Sequence, residues 1–391
     1  MQMEHGVRRG CAWCASGKWG KANLCRRFLF LSKMVSTVNP WRRIEPVGKQ
    51  LGPCRYTSPM RIFLYGISSF SYWLTAECRP NAHCGVGVSA LKSCVPHRKT
   101  VEYLEKVFPS IPQPYHVTVP VSSKSSVPQA IAHLSRFAFA ERPFVRIENG
   151  VFASCPELCF VQLALTLPFH ELVKAGDALC GSFYIDPTAD NGLGSRVPLT
   201  SRKRIEAFVR RNVGLRGAKQ ARRALRSVVD NAASPPEAFL WSVLSLSQRY
   251  GGYGIPDLEL NRRIRPSKRA RRIARRETLV PDVSHREIRL VIEYDSNSEH
   301  LTPFQIARDA SKRMALEADG YKVISVTTRQ LADAREMRNV ADQASGHLGR
   351  RLQIKAKRFQ DSHRVLYATG WSLGRYHRRL WLEGGRASDE M

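Results

Sequence analysis

Two short apolar runs precede acidic side chains in the stretch around residues 281–300, and this segment constrains the fold more than any other. Asp282 comes just after the first run, Leu279–Pro281, and Glu293 and Asp295 close the second, Leu290–Ile292. Successive side chains of a strand point to opposite faces, so Glu293 and Asp295 share one face. Residues 284–289 suit a hairpin linker, which would bring Asp282 beside Glu293. The segment therefore predicts a hairpin with three carboxylates near its strand ends.

Three carboxylates that converge at strand ends repel one another unless a cation lies among them. Oxygen-rich clusters of this kind are the ligands that Mg²⁺ or Mn²⁺ prefers. We therefore predict a Mg²⁺ (or Mn²⁺) site formed by Asp282, Glu293 and Asp295. The pattern leaves one alternative open, which is a chance hairpin with solvated acids at its edge.

The chain is strongly basic, with a formal net charge of +29 over 391 residues. Such a field favours a polyanionic partner, either nucleic acid or an anionic membrane surface. No apolar run approaches the length needed to span a bilayer, so we expect DNA as the partner and no membrane. The sequence does not indicate an oligomeric state.

All ten cysteines lie before Gly181, so disulfides do not hold the larger, better-patterned part of the chain together. Cys11, Cys14 and Cys25 have a spacing that invites a zinc interpretation, but a second close Cys or His pair at finger spacing is missing. We therefore expect reduced thiols and a cytoplasmic location.

Patterning and composition divide the chain into five segments. The first is basic, with eleven Lys or Arg residues and two acids, and we expect it to be disordered, with translation starting at Met60. Two patterned domains follow, joined by basic residues, and the chain ends in a tail that mixes cations with aromatics. The predicted boundaries are 1–59 for the extension, 60–199 for a smaller α+β domain, 200–233 for a basic helical bridge, 234–348 for the main domain and 349–391 for the tail.

The main domain reads as a helix, three strands, a helix, a strand and a helix. Ser234 and Glu237 form a capping box that opens the first helix, and Ser154 with Glu157 predicts a similar helix start upstream. The predicted strands are 257–265, 278–284, 288–296 and 321–326, with helices over 302–319 and from Thr328 to about His347. The predicted class is α/β (α+β overall), with an αβββαβ core and a mixed sheet.

This order of elements, with acids on the second and third strands, resembles the PD-(D/E)XK nuclease superfamily. More narrowly it is similar to the very-short-patch-repair-like endonuclease domains at the C-termini of bacterial proteins. The resemblance implies a restriction-endonuclease-like fold that hydrolyses DNA with a divalent metal. The matching residues are Ser234-Pro235-Pro236-Glu237, Pro281-Asp282, Ile292-Glu293-Tyr294-Asp295-Ser296, His300, Asp309, Arg313, Gly320-Tyr321-Lys322-Val323-Ile324 and Thr327.

The chain departs from the superfamily where the lysine of the E-x-K half is expected, because Asp295 stands there. An acid at this place, followed by a histidine such as His300, is usual in the repair-like branch. The departure leaves the general base open. His300 is either a proton shuttle, since its unperturbed pKa lies near neutrality, or a surface histidine.

We expect Asp282 and Glu293 to bind the metal, and Asp295 to be a third ligand or to orient a metal-bound water. Glu237 either reaches the same site or acts only within its capping box. Lys312 lies on the helix that follows the site and is a candidate to replace the missing lysine, although a lysine there is more often solvated.

The most basic stretch lies between the first two predicted strands and so near the acids. Carboxylates repel DNA phosphates, so surrounding cations are needed to hold the substrate, and binding should depend strongly on salt. A solvated, flexible loop is the alternative. The predicted DNA-binding residues are Arg262, Arg263, Arg265, Lys268, Arg269, Arg271, Arg272, Arg275 and Arg276.

Two functions from different classes remain. The first is a metal-dependent DNA endonuclease of restriction or repair type, which the acids favour. The second is a non-catalytic, antitoxin-like DNA-binding regulator that keeps a nuclease fold, which the absent E-x-K lysine favours.

Overall fold

The computed structural model of the protein describes residues 61–77, 85–94, 97–120, 127–135, 137–189, 191–295 and 303–370. These residues form helices and mixed sheets, which confirms the predicted α/β, α+β class. The predicted N-terminal extension and the last part of the tail lie outside the described residues. None of the described helices has the length and apolar character that crossing a membrane requires.

The first sheet has six strands in the order β2-β5-β6-β1-β3-β4. Its centre is strongly apolar, and Phe63 of β1 stacks on Phe152 of β6 with ring centroids 4.7 Å apart. Pairing is mixed, because β1 is parallel to β6 and antiparallel to β3, while β3 is parallel to β4. The strands are β1 Ile62–Leu64, β2 Gly85–Val86, β3 Tyr115–Pro120, β4 Ala130–Ser135, β5 Phe144–Glu148 and β6 Val151–Ser154.

Helices α1 Gly66–Thr75, α2 Arg98–Val107, α3 Pro156–Leu163 and α4 Phe169–Cys180 accompany this sheet, and β7 Phe183–Ile185 pairs with β8 Leu193–Ser195 in a separate ribbon. The capping box predicted at Ser154 is wrong. Cys155 occupies the N-cap of α3, and the Ser154 hydroxyl donates instead to the carbonyl of Leu64 on β1. The Glu157 carboxylate accepts from Thr200. Tertiary partners outcompete the local cap here.

The predicted basic bridge forms two helices, α5 Arg202–Arg211 and α6 Ala218–Leu225. Ser201 caps the first, its hydroxyl accepting from the Arg204 N–H at 3.3 Å. The chain turns between them at Gly214 and Gly217, whose φ angles are +83° and +87°. Such angles suit glycine and end a continuous helix.

The second sheet has four strands in the order β12-β11-β10-β9. Strand β11 is antiparallel to β10 and parallel to β12, and β10 is antiparallel to β9, so the sheet is mixed as predicted. Its elements are α7 Pro235–Ser245, β9 Leu258–Leu260, α8 Lys268–Ala274, β10 Val283–His285, β11 Leu290–Asp295, α9 Pro303–Ala318, β12 Lys322–Thr327, α10 Thr328–Ala332 and α11 Ala334–His347.

Three details differ from the predicted order. The basic stretch contains helix α8, the final predicted helix is divided into α10 and α11, and β9 and β10 are shorter than expected. The division follows from Asp333, whose carboxylate accepts from the N–H groups of Arg335 and Glu336 and caps α11. In the remainder of the predicted first and second strands, Ile264 and Leu279 form an isolated bridge, and the Asn261 N–H donates to the carbonyl of Asp282.

Helix α12 Phe359–Thr369 lies in the predicted tail and is anchored to the core by its apolar side. Phe359 and Leu366 are buried in the main core, and the His363 ring nitrogen lies 2.6 Å from the carbonyl oxygen of Gly251.

Buried side chains from both sheets belong to one continuous core, which includes Phe63 of β1 and Ile292 of β11. A smaller second core joins Ala270 of α8, Val291 of β11 and Leu316 of α9. The domain boundaries drawn from the sequence therefore stay a prediction that an unfolding experiment can test.

Candidate active site

Antiparallel pairing of β10 and β11 places Asp282 beside Glu293. The register matches Val283 with Ile292, so the preceding Asp282 faces Glu293 across the two strands. The Asp282 N–H lies 3.4 Å from Glu293 Oε2, and Asp282 Oδ2 accepts from the Tyr294 N–H at 2.7 Å. The juxtaposition predicted from the two acidic runs is therefore present.

Helices α8 and α9 cover the sheet face that carries Glu293. Val291 lies two residues before Glu293 and so shares its face. Val291 packs with Ala270 of α8 and with Ala315 and Leu316 of α9. The same apolar contacts thus hold the basic helix α8 and the amphipathic helix α9 on the sheet face that carries Glu293.

Helix α9 delivers Lys312 to Glu293. The Lys312 ammonium nitrogen lies 2.9 Å from each carboxylate oxygen of Glu293 and donates a hydrogen bond to Oε2. Both side chains are mostly shielded, with 23% of Lys312 and 18% of Glu293 exposed. The candidate lysine of the sequence analysis is therefore placed at the carboxylate pair, although it comes from a helix and not from the strand.

Glu237 is held at the beginning of α7 by three hydrogen-bond donors. Its carboxylate accepts from the Ser234 hydroxyl at 2.8 Å, from the Ala233 N–H at 3.1 Å and from the Asn261 side-chain amide at 2.8 Å. The predicted capping box is present in part, because the Ser234 hydroxyl accepts from the Glu237 N–H while the Glu237 carboxylate accepts from the N–H of Ala233 and not from that of Ser234. Asn261 also donates its backbone N–H to the carbonyl of Asp282, so Glu237 is tied to the site through one residue.

The electrostatics of the site centre on Asp282. Burial raises its pKa well above the ordinary carboxyl value, and the negative charges of Glu293 and Glu237 raise it further. The Lys312 charge and the Tyr294 N–H oppose the shift. A cation bound here would relieve the repulsion among these carboxylates.

The predicted convergence of a third carboxylate is not observed. Asp295 is exposed at the end of β11, and among the described residues no three His, Cys, Asp or Glu side chains gather closely enough to hold one metal. A strand that continues past its partner exposes its last side chain, and β10 ends the pairing well before Asp295. His300 lies outside the described residues.

The two remaining carboxylates fit a magnesium-type site. Mg²⁺ keeps several waters and binds proteins through one or two carboxylates together with substrate phosphate oxygens. Glu293 Oε1 is buried and accepts no hydrogen bond within the described parts of the chain, and the Lys312 ammonium nitrogen lies 2.9 Å from it. Asp282 and Glu293 are therefore the residues that would hold the ion.

The predicted DNA-binding residues divide into two groups. Arg262 donates to the carbonyls of His285 and Arg286, and Arg271 pairs with Glu277 at 2.8 Å, so both stabilise the local fold. Hydrogen bonds between Ile264 and Leu279 close the base of the segment. The remaining cations are exposed on and around α8: Arg263, Arg265, Lys268, Arg269, Arg272, Arg275 and Arg276.

No sequence pattern singles out Asn261, which contacts Glu237, Asp282 and the carbonyl of Asn231. Asn261 has a φ of +49° directly after β9, a conformation that asparagine tolerates better than most residues. The residue type is therefore the one sequence signal for this position. No sequence pattern indicates the His116–His133 pair either, whose ring nitrogens lie 2.9 Å apart on β3 and β4. The parallel pairing of β3 with β4 creates that contact, and no local sequence pattern predicts it.

Comparison of the chain with protein-family models, curated proteins and solved structures found no match. The functional assignment accordingly depends on the geometry described above.

Proposed function

We propose that this protein is a metal-dependent DNA endonuclease that hydrolyses phosphodiester bonds. The observation that carries the proposal is the constellation of Asp282, Glu293 and Lys312, in which the Lys312 ammonium lies 2.9 Å from the shielded Glu293 carboxylate and Glu293 lies beside Asp282. Two carboxylates with one lysine are the residue types that metal-assisted phosphodiester hydrolysis uses. The resemblance to PD-(D/E)XK nucleases is consistent with this constellation and remains part of the proposal.

Asp282 and Glu293 would hold Mg²⁺ or Mn²⁺, which supplies Lewis-acid stabilisation of the phosphoryl group and a hydroxide-like nucleophile. Lys312 places a positive charge beside Glu293, where it can stabilise negative charge that grows on the phosphoryl oxygens. The Tyr294 N–H holds Asp282 Oδ2 in place, and Asn261 holds the backbone of Asp282. Asp295 and His300 stay predictions for further roles in the same proposal.

The exposed cations around α8 would hold the DNA backbone beside the acids. Phosphate contacts of this kind are largely independent of sequence and weaken steeply with salt. A cytoplasmic location belongs to the same proposal, and the four described cysteines, which are buried and in no described disulfide, are consistent with it.

Plasmid nicking in Mg²⁺ tests the proposal. We expect the wild-type protein to nick supercoiled DNA and both Asp282→Asn and Glu293→Gln to reduce the rate by about 100-fold or more, because each removes a metal ligand. Glu317→Gln on α9 is the matched control, since it removes an exposed carboxylate from the same helix that carries Lys312. Nicking that survives both site variants would contradict the proposal.

One observation favours the second function, a non-catalytic DNA-binding regulator. The Lys312–Glu293 ion pair neutralises Glu293 without any metal. A protein that binds duplex DNA but never nicks it in Mg²⁺ or Mn²⁺, with linear, supercoiled or single-stranded substrates, would have this function.

A further inference from the structure

Helices α5 and α6 form an unusually basic surface that the proposed active site does not use. Ten cations and a single acid, Glu206, lie between residues 202 and 226. Every one of these cationic residues is exposed. The apolar side chains of both helices, among them Phe208 and Leu225, are buried in the core. The surface that remains therefore presents positive charge, and Val213 in the turn between the helices is the one large apolar side chain exposed within residues 202–226.

Some of these cations are committed to neighbours. Arg204 pairs with Glu157 at 3.2 Å, Arg211 pairs with Glu141 at 3.0 Å, and Arg223 donates to the Tyr250 hydroxyl. The side chains of Lys203 and Arg226 have no acidic partner within the described residues. These two are therefore available to an external anion.

Lys203 and Arg226 lie at the junction where α5 begins and α6 ends. Arg202 joins the two ends, because its Nε donates to the carbonyl of Leu225 at 3.2 Å. The Arg202 N–H also donates to the Asp230 carboxylate at 2.9 Å. The junction is thus fixed in position by hydrogen bonds on both sides.

A short chain of hydrogen bonds connects this junction to the candidate active site. Asn231 follows Asp230, and its carbonyl accepts from the Asn261 side-chain amide at 2.9 Å. The same amide donates to Glu237, and the Asn261 N–H donates to Asp282. The basic junction therefore borders the acidic site on the Glu237 and Asn261 side.

We infer that the α5–α6 junction is a second phosphate-binding surface, which holds duplex DNA next to the scissile site. A linear polyanion fits a surface of spaced cations without an apolar face, whereas membrane binding through an amphipathic helix needs exposed apolar side chains. The inference takes the nature of the polyanion, duplex DNA, from the proposed function. It adds that the substrate footprint extends from the α8 region across Asn261 to Lys203 and Arg226.

The test compares two charge-reversal variants of the full chain that change the net charge equally. Lys203→Glu with Arg226→Glu alters the junction, and Lys99→Glu with Lys106→Glu alters exposed lysines on α2, a helix of mixed charge. Fluorescence anisotropy measures the binding of a duplex of about 30 base pairs in EDTA, over a series of salt concentrations. Thermal melts by circular dichroism verify that both variants are folded.

We expect the junction variant to bind about 10-fold or more weakly and to lower the slope of log affinity against log salt by about 2, since two phosphate contacts are lost. The α2 variant should keep the wild-type slope. The milder Lys203→Gln with Arg226→Gln should show the same change in slope, which excludes an effect of the introduced acids.

An unchanged slope in the junction variant would overturn the inference, and so would an equal loss in the α2 variant. A loss seen with duplex RNA but not with duplex DNA would overturn it as well. Binding in EDTA does not depend on cleavage, so the outcomes separate. If the wild-type protein never nicks DNA but the junction variant shows the expected change in slope, the proposed function is wrong and the inferred DNA-binding surface is supported. If the wild-type protein nicks DNA but the junction variant keeps the wild-type slope, the proposed function is supported and the inferred surface is wrong.

Discussion

Asp282 carries the strongest electrostatic signal of the site, because burial and two neighbouring acids raise its pKa well above the ordinary value of 3.8. Between the ordinary and the raised pKa, folded Asp282 keeps a proton that the unfolded chain has lost. The free energy of unfolding therefore falls as the pH rises across that interval. In the metal-free protein at neutral pH, Asp282 is a destabilising residue.

Asp282→Asn should consequently stabilise the metal-free protein at about pH 7 by about 1–2 kcal/mol. The amide oxygen can still accept from the Tyr294 N–H while the charge is gone. The gain should shrink as the pH falls toward 3.8 and should vanish below it, where Asp282 of the wild type is protonated in both the folded and the unfolded state. Urea unfolding in EDTA at several pH values measures the difference, with Asp309→Asn on the exposed part of α9 as the control. A variant less stable than wild type at pH 7 would contradict this account.

Residues of the site differ in how far the sequence predicts them. Asp282 and Glu293 lie within one hairpin, so strand alternation and a short linker suffice to bring them together. Glu237 and Asn261 are far from them in sequence, and only packed elements decide that the Asn261 amide reaches the Glu237 carboxylate. The sequence predicts that Asp295 joins the other two carboxylates, because strand alternation puts it on the same face as Glu293. Alternation does not indicate where the pairing of β10 with β11 ends, and this pairing ends before Asp295.

Among the secondary-structure elements, helix α9 supplies the lysine that β11 lacks, because Asp295 stands where the E-x-K lysine is expected and Lys312 of α9 contacts Glu293 instead. Its apolar residues Ala315 and Leu316 pack on Val291, and Lys312, which lies one turn earlier, then projects to Glu293. The amphipathic pattern predicts the helix, and the tertiary packing sets its rotation and its axial position on the sheet. The sequence alone favours a solvated Lys312, and that interpretation is wrong, because the side chain is mostly shielded and paired with Glu293.

Lys312→Met should lower turnover by about 100-fold and should destabilise the metal-free protein by about 1–3 kcal/mol, because shielded Glu293 loses its cation. Added Mg²⁺ should then raise the melting temperature more in this variant than in wild type, since the ion no longer competes with the ammonium group. Differential scanning fluorimetry with and without Mg²⁺ measures this. Lys322→Met, at the exposed start of β12, is the matched control. Equal Mg²⁺ shifts in Lys312→Met and wild type would refute the competition.

At the scale of the whole molecule, the buried core runs without interruption between the two sheets. Elements that share one core unfold together, because exposing one sheet removes apolar contacts from the other. The boundaries predicted at 60–199 and 234–348 would instead allow two separate transitions. One shared core predicts a single unfolding transition and two separate domains predict two, so the number of transitions of the intact chain distinguishes them.

We expect calorimetry to show one transition for the region that contains both sheets, with equal calorimetric and van't Hoff enthalpies. Phe152→Ala in β6 should lower the stability of that whole transition by about 3–5 kcal/mol, since the side chain is fully buried. Val197→Ala, which truncates an 83% exposed side chain, is the control. Two resolved transitions, only one of which responds to Phe152→Ala, would favour the predicted domain division.

Patterns within a few neighbouring residues suffice to predict the fold class, the strand that carries Glu293 and the proximity of Asp282 to it. The net charge of +29 likewise follows from composition alone. The tertiary structure decided that Lys312 contacts Glu293, that Asn261 links Glu237 to Asp282, and that the α5–α6 junction borders the site. Those contacts join residues far apart in the chain, and their geometry is set by how helices pack on the sheet, which no local periodicity encodes.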